Sequence, residues 1–101
     1  MQDRRRPGRM SRDAAEGIAA QALLFLAEDS GRLGRFLADT GLDPRELRVR
    51  MQDPGTLAAV VGYLLADESA LLAFAANAGL KPEDVASAEV ALGGGSPWES
   101  T

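Results

Sequence analysis

Three arginines, Arg45, Arg48 and Arg50, follow a turn glycine at Gly41 and an aspartate at Asp43, a placement that could offer guanidinium groups to the phosphates of a nucleic acid. The frame resembles a helix-turn-helix: a small residue, a glycine four positions on, and an aliphatic residue six beyond it. Ala75, Gly79 and Val85 fit that spacing, and Leu37, Gly41 and Leu47 fit it nearly as well. Phosphate contacts dominate duplex affinity, so charge separates the two. The segment after Gly79 carries Glu83, Asp84 and Glu89, which repel a duplex, and only the segment with Arg45, Arg48 and Arg50 is a credible reader. The same spacing also describes any tight helix pair closed by a glycine C-cap, and that reading stays open beside it.

A second candidate is Trp98. It follows Gly93-Gly94-Gly95 and stands between Pro97 and Glu99. A lone tryptophan beyond a glycine linker is either a docking anchor, with Pro97 and Glu99 as its flanks, or a ring that folds back over apolar surface. Catalytic chemistry is poorly provided for. The chain has no Cys and no His, so thiol nucleophiles, imidazole bases and the usual metal ligands are missing. Asp29, Asp43, Asp53 and Asp67 each stand where a helix needs an N-cap, which accounts for them. Gly93-Gly94-Gly95 has no preceding strand and no following Lys-Ser or Lys-Thr, so it is a linker and not a phosphate loop. We therefore expect no catalytic residue, no metal and no cofactor.

The elements that must position these groups are helices. At 101 residues, 46% hydrophobic and rich in Ala and Leu, the chain reads as one all-α domain with close-packed helices. Gly41-Leu42-Asp43-Pro44 recurs as Gly79-Leu80-Lys81-Pro82, and the thirty-eight residues from Gly41 to Gly79 also carry Leu26 to Leu64, Asp29 to Asp67, Leu33 to Leu71 and Phe36 to Phe74. The recurrence predicts about six helices as two tandem three-helix repeats, at about 13–52 and 53–92, packed on a shared core. Helix one opens on an Asp13–Glu16 capping box and carries Ile18, Ala22, Phe25 and Leu26. Helix two is capped by Asp29 and ended by Gly41. Helix three begins at Asp43-Pro44 and turns Leu47 and Met51 inward. Asp53-Pro54, Asp67 and Pro82 open the second set, whose fourth helix is the most apolar segment and so the central one. Phe25, Phe36, Tyr63 and Phe74 should meet near the junction of the halves. The repeats could be related by an internal two-fold axis or stacked as a short solenoid.

Residues 1–12 read as a basic, disordered segment and residues 93–101 as a Gly-rich linker with the tryptophan tail. Met10-Ser11 offers a start as good as Met1. Residues 1–50 hold 10 basic and 8 acidic side chains, and residues 51–101 hold 1 basic and 7 acidic ones. No apolar run approaches the roughly 20 residues that span a bilayer, and we expect a cytoplasmic protein without a membrane partner.

The stretch Ala22-Leu23-Leu24-Phe25-Leu26-Ala27-Glu28-Asp29, with Leu33-Gly34-Arg35-Phe36-Leu37, Thr40-Gly41-Leu42-Asp43-Pro44 and Ala73-Phe74, resembles an uncharacterised family of small bacterial proteins of alphaproteobacterial type, known only as a domain of unknown function. The similarity covers about residues 14–92. It implies a compact, all-helical, cytoplasmic protein and carries over no activity, ligand or site residue. The leading expectation is a non-enzymatic module that binds another protein through a groove between the repeats or through Trp98. The alternative is a nucleic-acid-binding protein reading through Arg45, Arg48 and Arg50.

Overall fold

The structure, a computed structural model, describes residues 10–93, and the Arg-rich start and the segment with Pro97, Trp98 and Glu99 lie outside the described residues. Six α-helices follow one another: α1 (Arg12–Ala27), α2 (Ser30–Thr40), α3 (Pro44–Val49), α4 (Pro54–Leu65), α5 (Glu68–Ala78) and α6 (Pro82–Ala91), with a short 3-10 turn at Arg50–Gln52. No strand occurs among the described residues. The all-α expectation holds.

Local capping chemistry sets the boundaries. The Ser11 hydroxyl accepts the Ala14 N–H at 3.0 Å, so α1 is capped by Ser11 and not by the Asp13–Glu16 pair that the sequence suggests. Asp13 instead lies inside the first turn, where the positive end of the helix dipole favours a carboxylate. Met10 packs against the core just ahead of it. Asp29 accepts from Gly31 N and Arg32 N at 3.0 and 3.2 Å and starts α2 directly after α1. The second half repeats the device with Asp67, whose Oδ1 accepts from Ala70 N at 3.2 Å. Both α2 and α5 stop on glycines in the left-handed region, Gly41 at φ 75° and Gly79 at φ 71°, which an L side chain adopts only under strain.

Asp53 departs from the pattern. Its carboxylate accepts the Thr56 hydroxyl at 3.0 Å and makes no backbone cap bond to α4. At Lys81, ahead of α6, the cap bond runs the other way: Lys81 N–H donates to Asp84 Oδ2 at 2.9 Å.

The core lies between α1, α4 and α6, which make the broadest mutual contacts. α5 leans on α4 and reaches α1 and α6, while α2 rests on α1. α4 is central, as its apolarity predicts: Thr56, Leu57, Ala58, Val60, Val61 and Leu64 are all buried. Two aromatic pairs tie the outer helices in. Phe25 of α1 meets Phe74 of α5 edge to face at 5.6 Å, and Phe36 of α2 meets Tyr63 of α4 at 5.3 Å. Such pairs add about 0.5–1.5 kcal/mol each beyond the area they bury. Positions thirty-eight apart exchange roles in the two pairs, since Phe25 corresponds to Tyr63 and Phe36 to Phe74.

α3 stands apart. It contributes only Leu47 to the core and is held mainly through the 3-10 turn that leads into α4. Leu47 and Met51 both turn inward as the sequence suggests, Met51 packing against the core, but they do not share one helix. The α-helix ends at Val49, and Met51, half-buried, belongs to the 3-10 turn. Pro54 is the cause, because a helix running on through it would lose a hydrogen bond and clash with the preceding turn.

Candidate functional site

α3 is short, but its start is firmly built. Asp43 Oδ1 accepts Arg45 N–H at 2.8 Å, and Glu46 Oε1 accepts Asp43 N–H at 3.2 Å, closing a capping box around the first turn with Pro44 at its first position. Both acidic groups beside the arginines are thus committed to the backbone. Leu47 points into the core at 7% exposure and fixes the helix's rotation. At 100° per residue, Arg45, Arg48 and Val49 then share the opposite, outward face.

That face is fully presented to solvent. The Arg45 side chain is 95% exposed, and its nearest carboxylate contact is a long 4.0 Å approach of Nε to Asp43 Oδ1. Val49 is 80% exposed, the highest value among the large apolar residues described. Shallow depressions of about 350 and 390 Å³ flank it, one walled by Arg45, Glu46 and Arg50, the other by Pro44, Arg45 and Arg48. Val49 is thus an exposed aliphatic side chain that lines one depression with Arg45 and Arg50 and the other with Arg45 and Arg48. Chemically this face suits a surface that combines carboxylates or phosphates with an apolar patch.

The three arginines named from the sequence are therefore brought together. Val49 was missed, although the signal was present: once Leu47 faces inward, Val49 lies 160° away from it on the helix. Trp98, Pro97 and Glu99 fall outside the described residues.

A groove does run between the halves. It holds about 180 Å³ between α1 and α5, with Leu24, Phe25, Phe74 and Ala78 as apolar lining and Gln21, Asn77 and Glu28 at the rim. Leu24 is 65% exposed there. Arg32 lies over the half-buried Phe25 ring at 5.2 Å from its centroid, a contact worth about 0.5–1 kcal/mol at a solvated site. Among the described residues no group of three or more Asp or Glu side chains is placed to hold a metal ion.

A family model described as a protein of unknown function (DUF3572) matches residues 12–95. The chain belongs to this family. The match spans all six helices, α3 and its arginines included, so the ridge lies within the family domain and is not an appendage to it. Neither a curated protein nor a solved structure matches the chain.

Proposed function

We propose that this member of the family is a non-enzymatic, cytoplasmic helical module that binds another protein, and that the partner docks on the outward face of α3. One observation carries the reading: a valine exposed to 80% stands among Arg45, Arg48 and Arg50 on a helix that gives a single side chain to the core. Isolated exposed valines are ordinary. This one is set among three cations against two nearby carboxylates, Asp43 and Glu46, so the face offers both an apolar contact and a net positive charge. A partner segment with carboxylates around one apolar side chain matches it, with the charges steering encounter and the valine excluding water.

The two halves read as copies of one unit, supported by the thirty-eight-residue recurrence of caps and glycines and by the crossed aromatic pairs. The reciprocity of those pairs favours a two-fold relation over a solenoid, because in a two-fold contact each element meets its partner's counterpart.

The convergence of three arginines also favours a second reading, nucleic-acid binding. It is weaker. α3 is six residues long, about 9 Å, Asp43 and Glu46 sit beside its arginines, and the described chain carries seven basic against thirteen acidic side chains. Immobilised wild-type protein and Val49→Asp, each challenged with lysate before and after nuclease treatment, separate the readings. Retention of a protein by the wild type alone, weakened by salt, supports docking on α3. Retention that disappears with nuclease, together with a gel shift lost in Arg48→Glu, favours nucleic acid and overturns the first reading.

A further inference from the structure

The outward face of α6 has the chemistry that the α3 ridge calls for. Glu83, Ala86 and Val90 follow at i, i+3 and i+7, all three are exposed, and Val90 is 58% exposed. The remaining acids of α6 are turned elsewhere. Asp84 accepts the Lys81 N–H, and the Glu89 carboxylate lies over α4, where a Cβ on Gly62 would meet its Oε2 at 2.8 Å. Glu83 is thus the free carboxylate of this face, one turn from the small exposed side chain of Ala86, with Val90 one turn further on.

We propose that a second copy of this chain supplies the partner surface, with its α6 laid on the α3 ridge so that Val49 rests on Ala86 and an α3 arginine meets Glu83. The proposal rests on reading α3 as a docking face. The dimensions agree: Val49 lies about 6 Å along the helix from Arg45, and Ala86 about 4.5 Å from Glu83. Charge complementarity extends beyond the pair. Residues 53–93 hold one basic side chain, Lys81, against six acidic ones, whereas α3 and the 3-10 turn hold three arginines against one glutamate, Glu46. The contact joins unlike faces, so a docked pair keeps one free ridge and one free α6, and association extends with concentration unless the rotation closes a ring. Two short helix faces bury far less than the roughly 800 Å² per partner of a stable interface, so the pairing is weak and screened by salt.

Sedimentation velocity on the intact chain tests this from micromolar to millimolar protein at low and high salt. The expected result is a sedimentation coefficient that climbs with concentration at low salt and stays flat at high salt. Arg45→Glu and Glu83→Arg should each hold the chain monomeric, and an equimolar mixture of the two should associate again. Both residues are exposed, so unchanged helix content by circular dichroism verifies folding. A wild-type chain that stays monomeric throughout at low salt overturns self-pairing, and it leaves docking on α3 standing if Val49-dependent retention of a foreign protein persists. Self-association that ignores both substitutions overturns the proposal as well, since the copies then meet through another face.

Discussion

α3 and α6 begin alike and end in different places. Each follows a left-handed glycine, Gly41 or Gly79, opens on a proline, and turns an aliphatic residue, Leu47 or Val85, into the core. α6 then adds Ala88 and Leu92, both buried, and lies against α1 and α4. Thirty-eight positions earlier those two sites are Arg50 and Pro54. An arginine cannot enter the space that a buried alanine fills without desolvating its charge, and a proline stops the helix a turn short. The second half thus spends its third helix on the core, while the first leaves its counterpart on the surface with its cations exposed.

The sharpest way to break this comparison is to give α6 the residue that α3 carries. Ala88→Arg would place an unpaired guanidinium at a fully buried site, and the domain is expected to lose more than about 4 kcal/mol or fail to fold. The converse change, Arg50→Ala, should shift stability by no more than about 0.5 kcal/mol, as for exposed positions generally. Urea denaturation of both variants decides it. Comparable losses would mean that α3 is packed far more deeply than its exposure indicates.

A smaller but more symmetrical effect is expected at the aromatic pairs. Phe36 and Phe74 are buried at 0% and 1% exposure, and replacing either with Ala should cost about 3–5 kcal/mol. Phe25 and Tyr63, their partners, are only half-buried, so each should cost clearly less than the ring it touches. Four denaturation curves suffice, and an order that puts Phe25 above Phe74 would contradict the packing described.

Much of this was legible before any coordinates. The recurrence of Asp29 with Asp67 and of Gly41 with Gly79 located α2 and α5 because caps and left-handed glycines act over a few residues and need no tertiary information. The start of α1 was misplaced, since Ser11 and Asp13 are both capable caps and the choice between them depends on where the chain enters the core, through Met10. Which third helix would join the core was also written in the chain, in Arg50 and Pro54, but the recurrence drew attention to likeness and away from those differences. Arg45, Arg48 and Arg50 were identifiable as a basic group. The exposure of Val49 among them required knowing that nothing else packs over α3, a long-range fact that periodicity does not contain.

The left-handed glycines give a third, smaller comparison. Gly41→Ala and Gly79→Ala each force a Cβ into a positive φ with nothing crowding it, so about 1–2 kcal/mol is expected for either. Equal costs fit two equivalent helix ends. The Gly79 end also carries the Leu80 N–H bond to Ala75 O at 2.8 Å, whereas the Gly41 end has its own N–H to Leu37 O at 2.8 Å and the Thr40 hydroxyl, which donates to Phe36 O at 2.9 Å. Thermal melts that show a larger loss at Gly79 would indicate that the Leu80 bond makes the second end the more tightly organised one.

The smallest stability effect should belong to Val49, at the centre of the proposed docking face. Val49→Ser removes an apolar side chain that is 80% exposed and touches little, so the melting temperature should stay within the range of about 0.5 kcal/mol seen for ordinary surface changes. Val85→Ser, at the fully buried site of α6, should unfold a large fraction of the protein, because it combines a lost aliphatic contact with a buried hydroxyl. If α3 presents and α6 packs, stability and binding respond in opposite order: Val49→Ser leaves the fold intact and abolishes retention of a partner, and Val85→Ser loses binding only in proportion to the folded fraction. A Val49→Ser variant that melts several degrees lower would show that the valine is sheltered in solution, and the ridge would then have to be regarded as part of the packed domain.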